Sequence, residues 1–89
     1  MSADELLARF LSEEGPGAVR YGDLEGVLKS VGYSFVGHEG PYCTWKHPSY
    51  SALLTLRDEG VQPMYSKYTD KAAKHLKAVK QRGDSKWHA

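Results

Sequence analysis

The chain has 89 residues, twelve basic and eleven acidic side chains, 40% hydrophobic residues and one cysteine. A chain this short is expected to form one domain with a thin core, burying only about 60–65% of its unfolded surface. Its ordinary apolar and charged fractions exclude a disordered composition. No apolar run approaches the roughly 18 residues of a membrane span, and the N-terminus lacks the basic, apolar, small-residue order of a secretory signal. A cytoplasmic protein is therefore the expectation. A single thiol, Cys43, can neither close an internal disulfide nor anchor a cysteine-rich zinc site, and reads as small apolar strand filler.

The net charge of +1 hides an asymmetry. Residues 1–45 hold three bases against seven acids, and residues 46–89 hold nine bases against four. A basic half suits a polyanion such as RNA, and an acidic half could face a different partner.

Ser2 and Glu5 have the spacing of a capping box, and Leu6, Leu7, Phe10 and Leu11 follow as a helical apolar stripe. This predicts a helix over about 2–14, stopped by Gly15-Pro16-Gly17, the clearest internal linker. A second helix is expected after Gly22 as N-cap, carrying Leu24, Val27, Leu28 and Val31 at i, i+3, i+4, i+7 and ending before Gly32. Three strand-like runs come next, at Tyr33 to His38, Tyr42 to His47 and Ser51 to Arg57, and the turn residues Glu39-Gly40-Pro41 favour an antiparallel meander. Ser66 starts a last helix to about Gln81, with Tyr65, Tyr68, Ala72, Leu76 and Val79 on one side and Lys67, Lys71 and Lys74 on the other. The expected architecture is α+β in the order α-α-β-β-β-α, a three-stranded antiparallel sheet covered by helices, as one domain over 1–83 with a frayed tail over 84–89.

The run Gly40-Pro41-Tyr42-Cys43-Thr44-Trp45-Lys46-His47-Pro48 resembles the HicA family of toxin-antitoxin mRNA interferases. Leu28-Lys29-Ser30-Val31-Gly32-Tyr33 is similar to the family's helix end, and Trp45 and His47-Pro48 fall at matching places. Val19 to Leu24 and Leu54-Thr55-Leu56 with its acidic-glycine loop resemble a longer subgroup with an extra N-terminal helix. The resemblance covers roughly residues 3–80. It implies a fold similar to a double-stranded-RNA-binding domain, an mRNA-cleaving toxin that needs no metal or other cofactor, and a HicB-like antitoxin as partner.

One departure bears on the chemistry. The family's Gly-Ser-His reads Gly40-Pro41-Tyr42 here, so Tyr42 stands at the position of the catalytic histidine. Attack by a ribose 2′-hydroxyl needs a base, and histidine suits the task because it titrates near 6.5. Tyrosine titrates near 10, so only about 0.1% is ionised at pH 7. Loss of a general base costs typically about 10²–10⁴-fold and need not abolish binding. Pro41 also lacks an N–H to offer a phosphate.

Tyr42 could stack on a base, worth roughly 1–3 kcal/mol, or simply fill the strand. His47 and His38 flank the same hairpin, and either could replace the missing base; the plain alternative is that His47 ends a strand and His38 is solvated. Two histidines with Glu39 match no standard metal spacing, so no metal site is expected. Lys46, Arg57, Lys67, Lys71 and Lys74 are the phosphate-contact candidates, set against the plain reading of a solvated helix face. Trp45 and Leu76 read as core, and His75 and His88 carry no functional reading.

Two functions follow. The first is a HicA-like RNA-binding protein, either a degenerate toxin or a weak mRNA endoribonuclease. The second is a non-catalytic interaction module that keeps the fold and binds or blocks a protein partner. No Gly-rich phosphate loop or nucleophile triad points to another enzyme class.

Overall fold

The computed structural model describes residues 2–82. The tail expected over 84–89, Trp87 and His88 included, lies outside the described residues. Three helices and three strands follow in the order α1 Ala3–Leu11, α2 Tyr21–Ser30, β1 Ser34–Glu39, β2 Tyr42–His47, β3 Tyr50–Arg57 and α3 Ser66–Arg82. The strands form one antiparallel sheet in the order β1-β2-β3, with β2 central. The α+β class and the α-α-β-β-β-α order are those read from the sequence. No helix among the described residues is long and apolar enough to cross a membrane.

Ser2 caps α1 as expected, its Oγ accepting the Glu5 N–H at 3.2 Å. The other end of α1 differs from the expected boundary near residue 14. Ser12 is extended, and both its hydroxyl (2.8 Å) and its N–H (3.3 Å) donate to the Arg9 carbonyl. This local competition for the last carbonyls stops the helix three residues before the glycines.

The start of α2 also shifts. Arg20, not Gly22, is the N-cap, and it makes no side-chain cap. The cause is tertiary: Arg20 bridges to Pro63, and the Met64 N–H donates to the Val19 carbonyl at 2.8 Å, which holds this segment extended until Tyr21. At the far end Gly32 adopts φ +99 and donates to Lys29 O at 3.2 Å, while Tyr33 donates to Leu28 O at 2.9 Å. That pair of bonds is a Schellman motif, and its left-handed residue favours glycine.

Between β1 and β2 the pairing of Glu39 with Tyr42 leaves a two-residue turn, Gly40-Pro41. Gly40 has φ +60 and proline fixes the next φ near −65, the sign order of a type II′ turn that matches strand twist. The Asp58 N–H donates to Pro41 O at 2.8 Å, tying the turn to the end of β3.

The helices cover one face of the sheet. Phe10 from α1, Leu24, Val27 and Leu28 from α2, Leu76 and Val79 from α3, and Trp45, Leu54 and Leu56 from the sheet are fully buried. Each large apolar side chain so buried contributes about 1.5–3 kcal/mol before entropic costs. Trp45 is the centre, and its indole N–H donates to the Tyr21 hydroxyl at 3.0 Å. Burial pushes the Tyr21 phenol above its usual range, and its hydrogen bond to Cys43 adds to this.

Candidate nucleic-acid interface

Strand alternation divides the function-bearing residues from the core. In β2, Cys43, Trp45 and His47 are buried, whereas Tyr42 and Lys46 are exposed and Thr44 is half-buried. The face bearing Tyr42, Thr44 and Lys46 has no helix on it, and residues at spacing two share a face. Thr44 and Thr55 hydroxyls meet at 3.1 Å in its middle. Val36 and Leu53 are also exposed, by 52% and 55%, leaving apolar surface beside the hydroxyls.

Tyr42 stands directly across from Glu39 on β1 and Arg57 on β3. The Arg57 guanidinium carbon lies 6.0 Å from the Tyr42 ring centroid and 5.8 Å from that of Tyr65. Both distances fall in cation–π range. Tyr65 was expected on the apolar side of α3. Instead it precedes the helix, is 53% exposed, and presents its ring to Arg57, while its carbonyl accepts the Tyr68 and Thr69 N–H groups. Helical periodicity alone groups Tyr65 with the apolar stripe of α3, whereas the loop before Ser66 turns its ring toward Arg57. Lys67 follows two residues later, its ammonium 5.1 Å from the Tyr68 ring centroid.

The five basic candidates therefore do not form one patch. Arg57 gathers with Tyr42 and Tyr65 at the hairpin end of the sheet, whereas Lys67 sits over Tyr68 in the first turn of α3. Lys46 is exposed at the other end of the same face, opposite Ser34. Lys71 and Lys74 are exposed on α3, and Lys74 lines a cleft with Lys77 and the acids Glu13, Glu14 and Asp70. Arg57 also has a local counter-ion, Glu59, with Nε to Oε2 at 3.0 Å.

The histidines separate clearly. His47 is 4% exposed, and the Ser49 N–H donates to its Nδ1 at 3.0 Å. That bond makes Nδ1 the acceptor, so Nε2–H donates to the Val31 carbonyl at 2.8 Å. Its ring also packs edge-on against Tyr33, with centroids 5.1 Å apart. With both nitrogens engaged in the core, His47 has none to offer a 2′-hydroxyl, and its role is to fasten the end of β2 to the end of α2. It is equally withdrawn from any metal set with His38 and Glu39, and among the described residues no group of three potential ligands gathers. His75 is buried against Tyr50, and burial, then Lys71, lowers its pKa. His38 alone of these three is exposed. Cys43 is buried beneath the turn, in keeping with apolar filler.

Comparison of the chain with family models, curated proteins and solved structures finds no match.

Proposed function

We propose that this chain is a HicA-like, toxin-type protein that binds single-stranded RNA, mRNA being the natural class, on the open face of its sheet. The observation that carries the reading is the Arg57 guanidinium within cation–π range of both Tyr42 and Tyr65 at the hairpin end. Aromatic faces stack on unpaired bases at roughly 1–3 kcal/mol each, and an arginine among them meets the backbone phosphate. Lys46 and Lys67 extend the basic track, and Lys71 and Lys74 add a weaker field from α3. On this reading the protein works in the cytoplasm, with a HicB-like antitoxin as its natural counterpart, and any mRNA cleavage is weak because Tyr42 occupies the catalytic histidine's position.

The test compares wild type with Tyr42→His on a short mRNA fragment. Both should shift the RNA at low salt, and Tyr42→His should cut it at least tenfold faster. If neither protein binds, the reading is wrong.

A second reading, a partner-binding module, has its support in Val36 and Leu53, which leave apolar surface on the same face, and in the acids Glu39 and Glu59 beside Tyr42 and Arg57. RNA that fails to bind while a protein partner protects this face would favour it.

A further inference from the structure

We infer that the open-face cavity beside Tyr42 is a guanine subsite in which Glu39 selects the base; the inference rests on the RNA-binding reading above.

Two residues of this cavity have no task in the fold. The first is Gly37, which stands inside β1 opposite Thr44, where the strand register slips at Val36. Glycine weakens a strand interior, because it loses more backbone freedom on folding than other residues and packs against nothing. A bulge calls for glycine only where its φ is positive, and that of Gly37 is not. A Cβ placed there would meet nothing within 4 Å, so no neighbouring segment requires its absence. What the missing side chain does is leave room. Val36, Gly37, Glu39, Tyr42, Thr44 and Thr55 line a shallow cavity of about 450 Å³. A bare strand position of this kind is a common mark of a ligand's close approach.

The second is Glu39, exposed and directly across from Tyr42. Cross-strand partners hold their Cβ atoms about 4.5–5.5 Å apart, so the carboxylate reaches the edge of a base stacked on the tyrosine ring. Among the described residues Glu39 has no ion pair, whereas Arg57 is matched by Glu59 at 3.0 Å. An unmatched acid repels the phosphate that Arg57 attracts. It serves a nucleic-acid site by contacting a base.

The chemistry then selects which base. Carboxylate oxygens only accept, and two of them accept side by side. Guanine alone of the four bases carries two adjacent donors on its Watson–Crick edge, N1–H and N2–H. Adenine and cytosine set one amino donor beside a ring acceptor, and uracil sets one N–H between two carbonyls. Each of these three turns a lone pair toward the carboxylate. Next to N1, guanine also carries the O6 acceptor. The Thr44 and Thr55 hydroxyls meet at 3.1 Å, and whichever one accepts keeps a proton to give to O6.

The experiment uses the full chain and short single-stranded oligouridines carrying G, A, C or U at one central position. Anisotropy reads affinity, and a thermal melt reads stability. Wild type should bind the G strand at least about tenfold more tightly than the other strands. Glu39→Gln turns an acceptor into a donor and removes a like charge. It should bind the all-U strand as well as wild type or better, prefer G by less than about twofold, and melt at the same temperature. Gly37→Val should melt no lower than wild type, because valine suits a strand, and should lose the G preference as well. If wild type binds the strands alike or prefers another base, or if either variant keeps the preference, the guanine subsite fails while the RNA-binding reading stands. If wild type binds none of them, both fail.

Discussion

The two faces of this sheet are built from alternate residues of the same strands, yet they obey different constraints. On the helix-covered face Trp45, Leu54 and Leu56 are fully buried and Trp45 is hydrogen-bonded to Tyr21. On the open face Tyr42, Lys46 and Leu53 are exposed and Thr44 and Thr55 half-buried, with Arg57 held by a counter-ion and two rings. Packing dictates residue type on the first, where a lost methylene leaves a cavity. No helix packs on the second, so its tyrosine, arginine and hydroxyls are held by one another and by Glu59 and keep faces open to solvent, which is the arrangement the proposed binding uses. One strand thus carries stability on its odd residues and the proposed recognition on its even ones.

That division predicts a gradient of effects. Trp45→Ala removes the central ring and strands the Tyr21 hydroxyl, so chemical denaturation should show a loss of about 3–5 kcal/mol, enough to unfold much of so small a domain. A loss below about 1 kcal/mol would mean the core is not organised around this residue.

The paired histidines sharpen the comparison. His47→Ala leaves the Val31 carbonyl and Ser49 N–H without their bonds and should cost about 2–3 kcal/mol, whereas exposed His38→Ala should stay within about 0.5 kcal/mol. Equal costs would erase the distinction between a fastening histidine and a free one.

A smaller effect concerns His75 on α3. Burial, then Lys71, lowers its pKa, while the unfolded chain titrates near 6.5. Above pH 6.5 both states are neutral and the group adds no slope. Below it the unfolded chain takes up the proton first, so stability declines until folded His75 is protonated too. Melting temperature should therefore fall between pH 7 and 5, and His75→Leu should remove part of that fall. An unchanged slope would contradict the assignment.

Much of the fold could be read from local signals. The Ser2 cap, the Leu24–Val31 stripe, Gly32 as the left-handed residue and the Gly40-Pro41 turn all act within a few residues, so the sequence displays them directly. What could not be read depends on contacts between distant segments. The start of α2 is set by Pro63 and Met64, more than forty positions away. The site divides the same way. Tyr42 and Arg57 were visible as residue types, but their adjacency is a product of β2–β3 register, and Tyr65 joins them only because the loop after β3 returns it to that end of the sheet. The engagement of His47 in the core was equally hidden, because its partners Val31 and Ser49 lie on opposite sides of it in sequence.

The most direct test of the central claim is RNA affinity against salt for wild type, Tyr42→Ala and Arg57→Ala, with each protein's melting temperature measured alongside. The account predicts that wild-type affinity falls as salt rises, that each substitution weakens binding by roughly tenfold or more, that Arg57→Ala lowers the salt slope by about one, and that neither shifts stability by more than about 0.5 kcal/mol. Binding that ignores salt, or variants that bind as well as wild type, would contradict it.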